Sequence, residues 1–171
     1  MANTFVKIAS AAVGAGGTSS VTFSSIPQTY TDLVLKASAR STRAGLDEDG
    51  FTIQLNSSTT GYTYITTIGQ GSSIGNLNTT YEQTWAGEVN AGSSTANTFN
   101  NLEAYFTNYT GSTAKPYLVD SAQENNGSTA YFSVNTVRQS STSAITSLTC
   151  GAANGNLAQY STLTLYGIKK S

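Results

Sequence analysis

The sequence predicts an all-β protein: one antiparallel β-sandwich over residues 1–171, jelly-roll-like, with about ten strands and almost no helix. Three observations carry this. Apolar residues recur with period two in short runs. Turn-forming residues interrupt those runs at regular intervals. No apolar stripe with the roughly 3.6-residue period of a helix is sustained anywhere.

The elements follow in order. Phe5–Ser10 is the first strand, closed by the turn Gly14-Ala15-Gly16-Gly17. Val21–Ser24 is the second, and a turn of helix is allowed around Pro27–Thr31. In Asp32–Arg40, Leu33, Leu35, Ala37 and Ala39 alternate with polar Asp32, Lys36, Ser38 and Arg40, so one face is apolar. Glu48-Asp49-Gly50 reads as a turn, because Asp-Gly tolerates positive φ. Phe51, Ile53 and Leu55 then share a face, and Tyr62–Ile68 forms another strand. Gly69–Thr80 is polar and lacks alternation, and it is expected to be a flexible loop. The run from Tyr81 to Val89 places Tyr81, Gln83, Trp85, Gly87 and Val89 opposite Glu82, Thr84, Ala86 and Glu88. Leu102, Ala104 and Phe106 share a face, as do Ala130, Phe132 and Val134, and Leu163 and Leu165. Tyr117–Ala122, Ala144–Cys150 and Thr162–Ile168 complete the strands. No segment reads as a linker, so a single domain is expected.

Composition narrows the chemistry. Ser, Thr, Asn, Gln and Gly make up 87 of the 171 residues, and only 10% of residues are charged. A strand can carry Thr and Ser on its solvent face, so such a chain stays soluble through hydroxyls and amides. There is no His, which excludes Ser-His-Asp and Cys-His catalysis and imidazole zinc sites. The single Cys, Cys150, excludes an intrachain disulfide and reads as a small buried hydrophobe sharing a face with Leu148. A net charge of −1 gives no footprint for nucleic acid, and no apolar run approaches the roughly 20 residues of a membrane helix. Met1–Ser10 lacks the apolar core of a signal peptide, so synthesis in a cytoplasm is expected. No cofactor is implied.

Candidate sites are few. Asp47, Glu48 and Asp49 form the acidic cluster, and carboxylate oxygens suit a hard cation such as Ca²⁺. Their spacing lacks the alternating pattern of a calcium loop, and they are expected to be a solvated hairpin tip. Glu82, Glu88 and Glu103 are expected to be charges on exposed strand faces; six residues separate Glu82 from Glu88, about 20 Å along a strand, too far for a glycosidase pair. Tyr62, Tyr64, Tyr105 and Tyr109 are candidates for stacking on a glycan, two to a face. Phe5, Val6, Ile8, Ile74 and Leu77, with the basic tail Lys169-Lys170, are candidates for an assembly interface.

Longer phrases carry a resemblance. Met1-Ala2-Asn3-Thr4 through Val13-Gly14-Ala15-Gly16-Gly17, then Phe23 through Leu33, form the first. The second comprises Thr95-Ala96-Asn97-Thr98-Phe99, Asn108-Tyr109-Thr110-Gly111-Ser112-Thr113 and Glu124-Asn125-Asn126. The third comprises Ala144 through Leu148, Gly155 through Thr162 and Leu165 through Lys170. Together they resemble a family of virion structural proteins of aquatic and environmental tailed phages. The resemblance implies a non-enzymatic β-sandwich and brings no catalytic residues. The expected role is capsid decoration or cement, binding the major capsid protein and copies of itself, often as a homotrimer, on the virion surface. The alternative is the receptor-binding tip or a tail-fibre subunit recognising host polysaccharide.

Overall fold

The structure, a computed structural model, describes residues 4–79, 84–123 and 131–169. Among them the chain is all-β, with no helix and twelve strands in two antiparallel sheets. The strands are β1 (Phe5–Ala12), β2 (Ser20–Phe23), β3 (Asp32–Ala39), β4 (Glu48–Leu55), β5 (Tyr62–Gln70) and β6 (Ser73–Thr79). They continue as β7 (Trp85–Asn90), β8 (Asn100–Phe106), β9 (Lys115–Gln123), β10 (Tyr131–Gln139), β11 (Leu148–Ala152) and β12 (Thr162–Ile168). An eight-stranded sheet runs β1-β12-β3-β8-β9-β10-β5-β6, and a four-stranded sheet, β2-β11-β4-β7, packs on it.

Register follows from alternation. Leu35 pairs with Leu165 on one side and Ala104 on the other, and Ala37 pairs with Leu163 and Leu102. All six are buried on the inner face. The small sheet answers with Phe23, Phe51, Ile53, Leu55, Leu148 and Cys150. Burial pushes the Cys150 thiol up to about 12, so it stays protonated and inert at neutral pH.

Three expectations are corrected. Gly69–Thr80 is largely not a loop: Ser73–Thr79 is β6, turned back on β5 at Gly71 (φ 57) and paired from Gln70↔Ser73 to Tyr64↔Thr79. Pairing of an edge strand needs only backbone groups, so its polar sequence showed no alternation. Glu48-Asp49-Gly50 is not a turn but the start of β4. No helical turn forms at Pro27–Thr31. Phe132 and Val134 share a face, as expected, and it is the solvent face of the large sheet; Ala130 lies outside the described residues, as do Tyr81, Glu82 and Gln83.

The inner face of β10 is therefore polar: Ser133, Asn135, Val137 and Gln139 are its buried residues. A hydrogen-bond chain explains how this is tolerated. Thr66 Oγ1 donates to Asn135 Oδ1 (2.6 Å), Asn135 Nδ2 donates to Ser133 Oγ (3.0 Å), and the Ser133 and Ser121 hydroxyls bond each other (2.8 Å). Ser121 Oγ accepts from Glu88 N (3.3 Å), and Asn100 Nδ2 donates to Glu88 O (2.7 Å). This chain ties β5, β10, β9 and β8 to β7, the edge strand of the small sheet. Asn135→Ala leaves the Thr66 hydroxyl without its acceptor in a dry site and removes one of the two bonds of the Ser133 hydroxyl. It should cost about 2–3 kcal/mol, read as a shifted midpoint in urea unfolding at an unchanged slope.

Candidate functional site

The sequence-derived candidates scatter. Asp49 is fully buried and faces inward; its carboxylate accepts from Ser41 Oγ (2.6 Å), Gly50 N (2.9 Å) and Asn154 Nδ2 (2.9 Å), and it meets Arg43 Nη1 at 3.6 Å. Glu48, one residue earlier, lies on the opposite face of β4. Strand alternation thus separates the acidic cluster: it is neither a solvated tip nor a convergent cation site, and Asp47 contributes its backbone carbonyl to Gln123 Nε2 (2.7 Å). Among the described residues no group of three or more His, Cys, Asp or Glu is placed to hold a metal ion. Glu103 pairs with Lys36 (2.7 Å) on the solvent face of the large sheet.

The tyrosines are corrected too. Tyr62 and Tyr109 are core residues. Tyr62 spans the sandwich and accepts from Leu55 N at 2.8 Å. The Tyr109 hydroxyl donates to Pro27 O. Tyr105 is half-buried and donates to Asp32 Oδ2 (2.8 Å). Tyr64 is also largely buried, but it reaches the wall of a cleft.

That cleft lies at the β4–β7 edge of the small sheet and has a volume of about 280 Å³. Arg43, Glu48, Gly50, Tyr64, Trp85, Glu88, Ala153 and Asn154 line it. A β-bulge builds it: Phe51 pairs with Gly87 but Thr52 pairs with Trp85, so Ala86 is extra on β7. Gly87 takes φ 144, a conformation that L side chains avoid. Such bulges re-aim side chains, and Trp85 here lies across Gly50 and beside Tyr64, ring centroids 5.3 Å apart. A Cβ at Gly50 would sit 2.3 Å from Trp85 Cδ1, so only glycine admits the indole.

Glu88 is corrected from an exposed charge to a buried one, 9% exposed. It pairs with Gly50 across the ladder, which puts it diagonal to Glu48. Burial first, then the charge and hydrogen bond of Glu48, push its carboxyl up to about 8; Asp49 adds to this and Arg43 opposes it. Asp49 is the fixed point beneath Glu48 and Glu88, holding Arg43 and Asn154 at the cleft wall.

The sign of the pH dependence follows. A carboxyl raised above its unfolded value holds its proton in the folded state while the unfolded chain has released it. Its contribution is fully present below about pH 4.5 and is lost as pH rises toward about 8. The slope in that window should approach about 1.4 kcal/mol per pH unit. Glu88→Gln should flatten this segment in urea titrations run across the window, and an unchanged slope would contradict the assignment.

A second surface is the outer face of the large sheet. Ile65, Ile74, Leu118, Phe132 and Val134 lie there, between 42% and 74% exposed. The Phe132 ring lies across Gly69, whose direct partner on the far side is Ile74. A groove of about 330 Å³ beside Leu118 is lined by Tyr105, Thr107, Pro116, Tyr117 and Thr136.

The interface candidates fall on the two edges of this sheet. Phe5 is exposed on β1, edge-on to Tyr166, while Val6 is half-buried and Ile8 packs against the core. Ile74 and Leu77 belong to β6. Lys169 is exposed, its backbone bonded to Thr4 O (2.9 Å), and Lys170 lies outside the described residues. No protein-family model matches the chain, and no curated protein matches it.

Proposed function

We propose that this chain is a non-enzymatic structural protein of a tailed-phage virion, a decoration or cement protein that binds the outer capsid lattice, in contact with the major capsid protein and further copies of itself. One observation carries the reading beyond the sequence resemblance: the strip of Ile65, Leu118, Phe132, Val134 and Ile74 on one sheet face. A protein with 10% charged residues has few means to keep such a strip in water, and contiguous apolar patches mark interaction sites. The strip ends at β6, an edge whose sequence, Ser-Ile-Gly-Asn-Leu-Asn-Thr, carries no charge or proline to block another strand. Binding that rests on apolar burial and backbone pairing is little weakened by salt, and it stabilises the lattice by mass action. The homotrimer is the expected assembly.

Leu118→Lys and Ile65→Lys test this. Both residues point to solvent, so each variant should melt within about ±0.5 kcal/mol of the wild type. Both should lose binding to purified heads that lack the protein, measured by co-sedimentation. Undiminished binding would remove this face from the proposal.

A further inference from the structure

We infer that the Trp85 cleft is a binding site for a neutral pyranose sugar, stacked on the indole and held by the Glu48, Glu88 and Asn154 side chains.

The floor is aromatic and fixed. Trp85 is partly buried against the core, backed by Tyr64 and seated on Gly50, so its orientation is set by the bulge before any ligand arrives. A flat, rigid ring with one wet side suits the C–H face of a pyranose. The walls are polar and converge: two carboxyls from neighbouring strands and a side-chain amide, with Asn154 and Arg43 anchored from beneath by Asp49. Carboxyl oxygens accept from vicinal hydroxyls, and a side-chain amide both donates and accepts. Volume sets the size of the ligand. About 280 Å³ is just below the ~300–1,000 Å³ of small-molecule sites, which fits a sugar ring and not a polymer groove. Charge sets its kind. Arg43 contacts Asp49 at 3.6 Å and is the one cation among the lining residues against the carboxyls of Glu48 and Glu88, a balance that disfavours a carboxylate-bearing sugar.

The bulge also shows why the site would be kept. A glycine in a strand, an edge-strand glycine at φ 144 and a buried glutamate each weaken the sheet locally. Their shared product is a presented indole beside two carboxyls. This inference is independent of the capsid reading: a decoration protein bearing such a cleft would display many copies of it.

Trp85 is the only tryptophan, so fluorescence excited at the red edge, where the ten tyrosines do not absorb, reports on the cleft alone. The probes are the methyl pyranosides of glucose, galactose, mannose and N-acetylglucosamine, titrated into the full chain. At least one should give a saturable change in emission with a Kd in the range of about 1 mM. Glu48→Ala and Asn154→Ala should weaken it tenfold or more while the proteins remain folded by circular dichroism. Trp85→Ala, followed by saturation-transfer NMR, should abolish it. Absence of saturable binding by all four probes in both readouts overturns the inference. So does binding that survives Trp85→Ala, which would place the sugar elsewhere.

Discussion

Leu35→Asp should destabilise the protein by about 3 kcal/mol or more, because it places a carboxylate without partners between the two sheets. Leu35 is fully buried and flanked in register by Leu165 and Ala104. Against a typical total of roughly 5–15 kcal/mol this is a large share, visible as a lowered midpoint in urea. Lys36→Asp, one residue on, is the control. Its side chain faces solvent beside Glu103, so the change swaps an ion pair for a like-charge pair and should cost no more than about 1 kcal/mol. Equal effects would refute the two-faced reading of β3.

Tyr109→Ala should cost about 3–5 kcal/mol, the range for deleting a buried aromatic ring. The ring is fully buried, its hydroxyl donates to Pro27 O and accepts from Tyr30 N (3.4 Å), and its own carbonyl accepts from Ile145 N (2.9 Å). One residue thus ties its own loop to two others, the segment before β3 and the segment before β11. Tyr109→Phe keeps the ring and should cost about 1–1.5 kcal/mol. A glycan-stacking tyrosine would behave otherwise: both variants would melt like the wild type. Differential scanning calorimetry of the pair separates the two roles.

The strands with apolar faces were legible in the sequence because inside and outside differ in residue type. Leu33 to Ala39, Phe51 to Leu55 and Leu102 to Phe106 all bury the residues that alternation selects. Two strands escaped that logic for opposite reasons. β6 needs no apolar residues, since its backbone pairing suffices. β10 carries its apolar residues outward and its amides and hydroxyls inward, where a cross-strand network satisfies them. A period-two pattern states which residues share a face, never which face is dry.

The cleft was illegible for a related reason. Glu48 and Glu88 are 40 positions apart and meet only through the β4–β7 register, and the bulge that turns Trp85 over Gly50 shifts parity by one residue. The signal present in the sequence was Gly50 directly before the apolar run Phe51-Thr52-Ile53-Gln54-Leu55. A glycine there suits a turn and a close approach equally well. Burial of Asp49 was hidden likewise, because its partners Ser41 and Asn154 come from distant loops.

The two sheet faces imply different uses of a sparsely charged surface. The inner face folds the protein, and the outer strip of the large sheet is the surface that the proposed decoration role would use. The most direct test is the number of copies per virion, obtained by quantitative mass spectrometry against the major capsid protein and located by electron cryomicroscopy. The decoration role predicts a copy number commensurate with the capsid lattice, with the strip of Leu118 and Ile65 turned toward a neighbour. A handful of copies confined to the tail would contradict it.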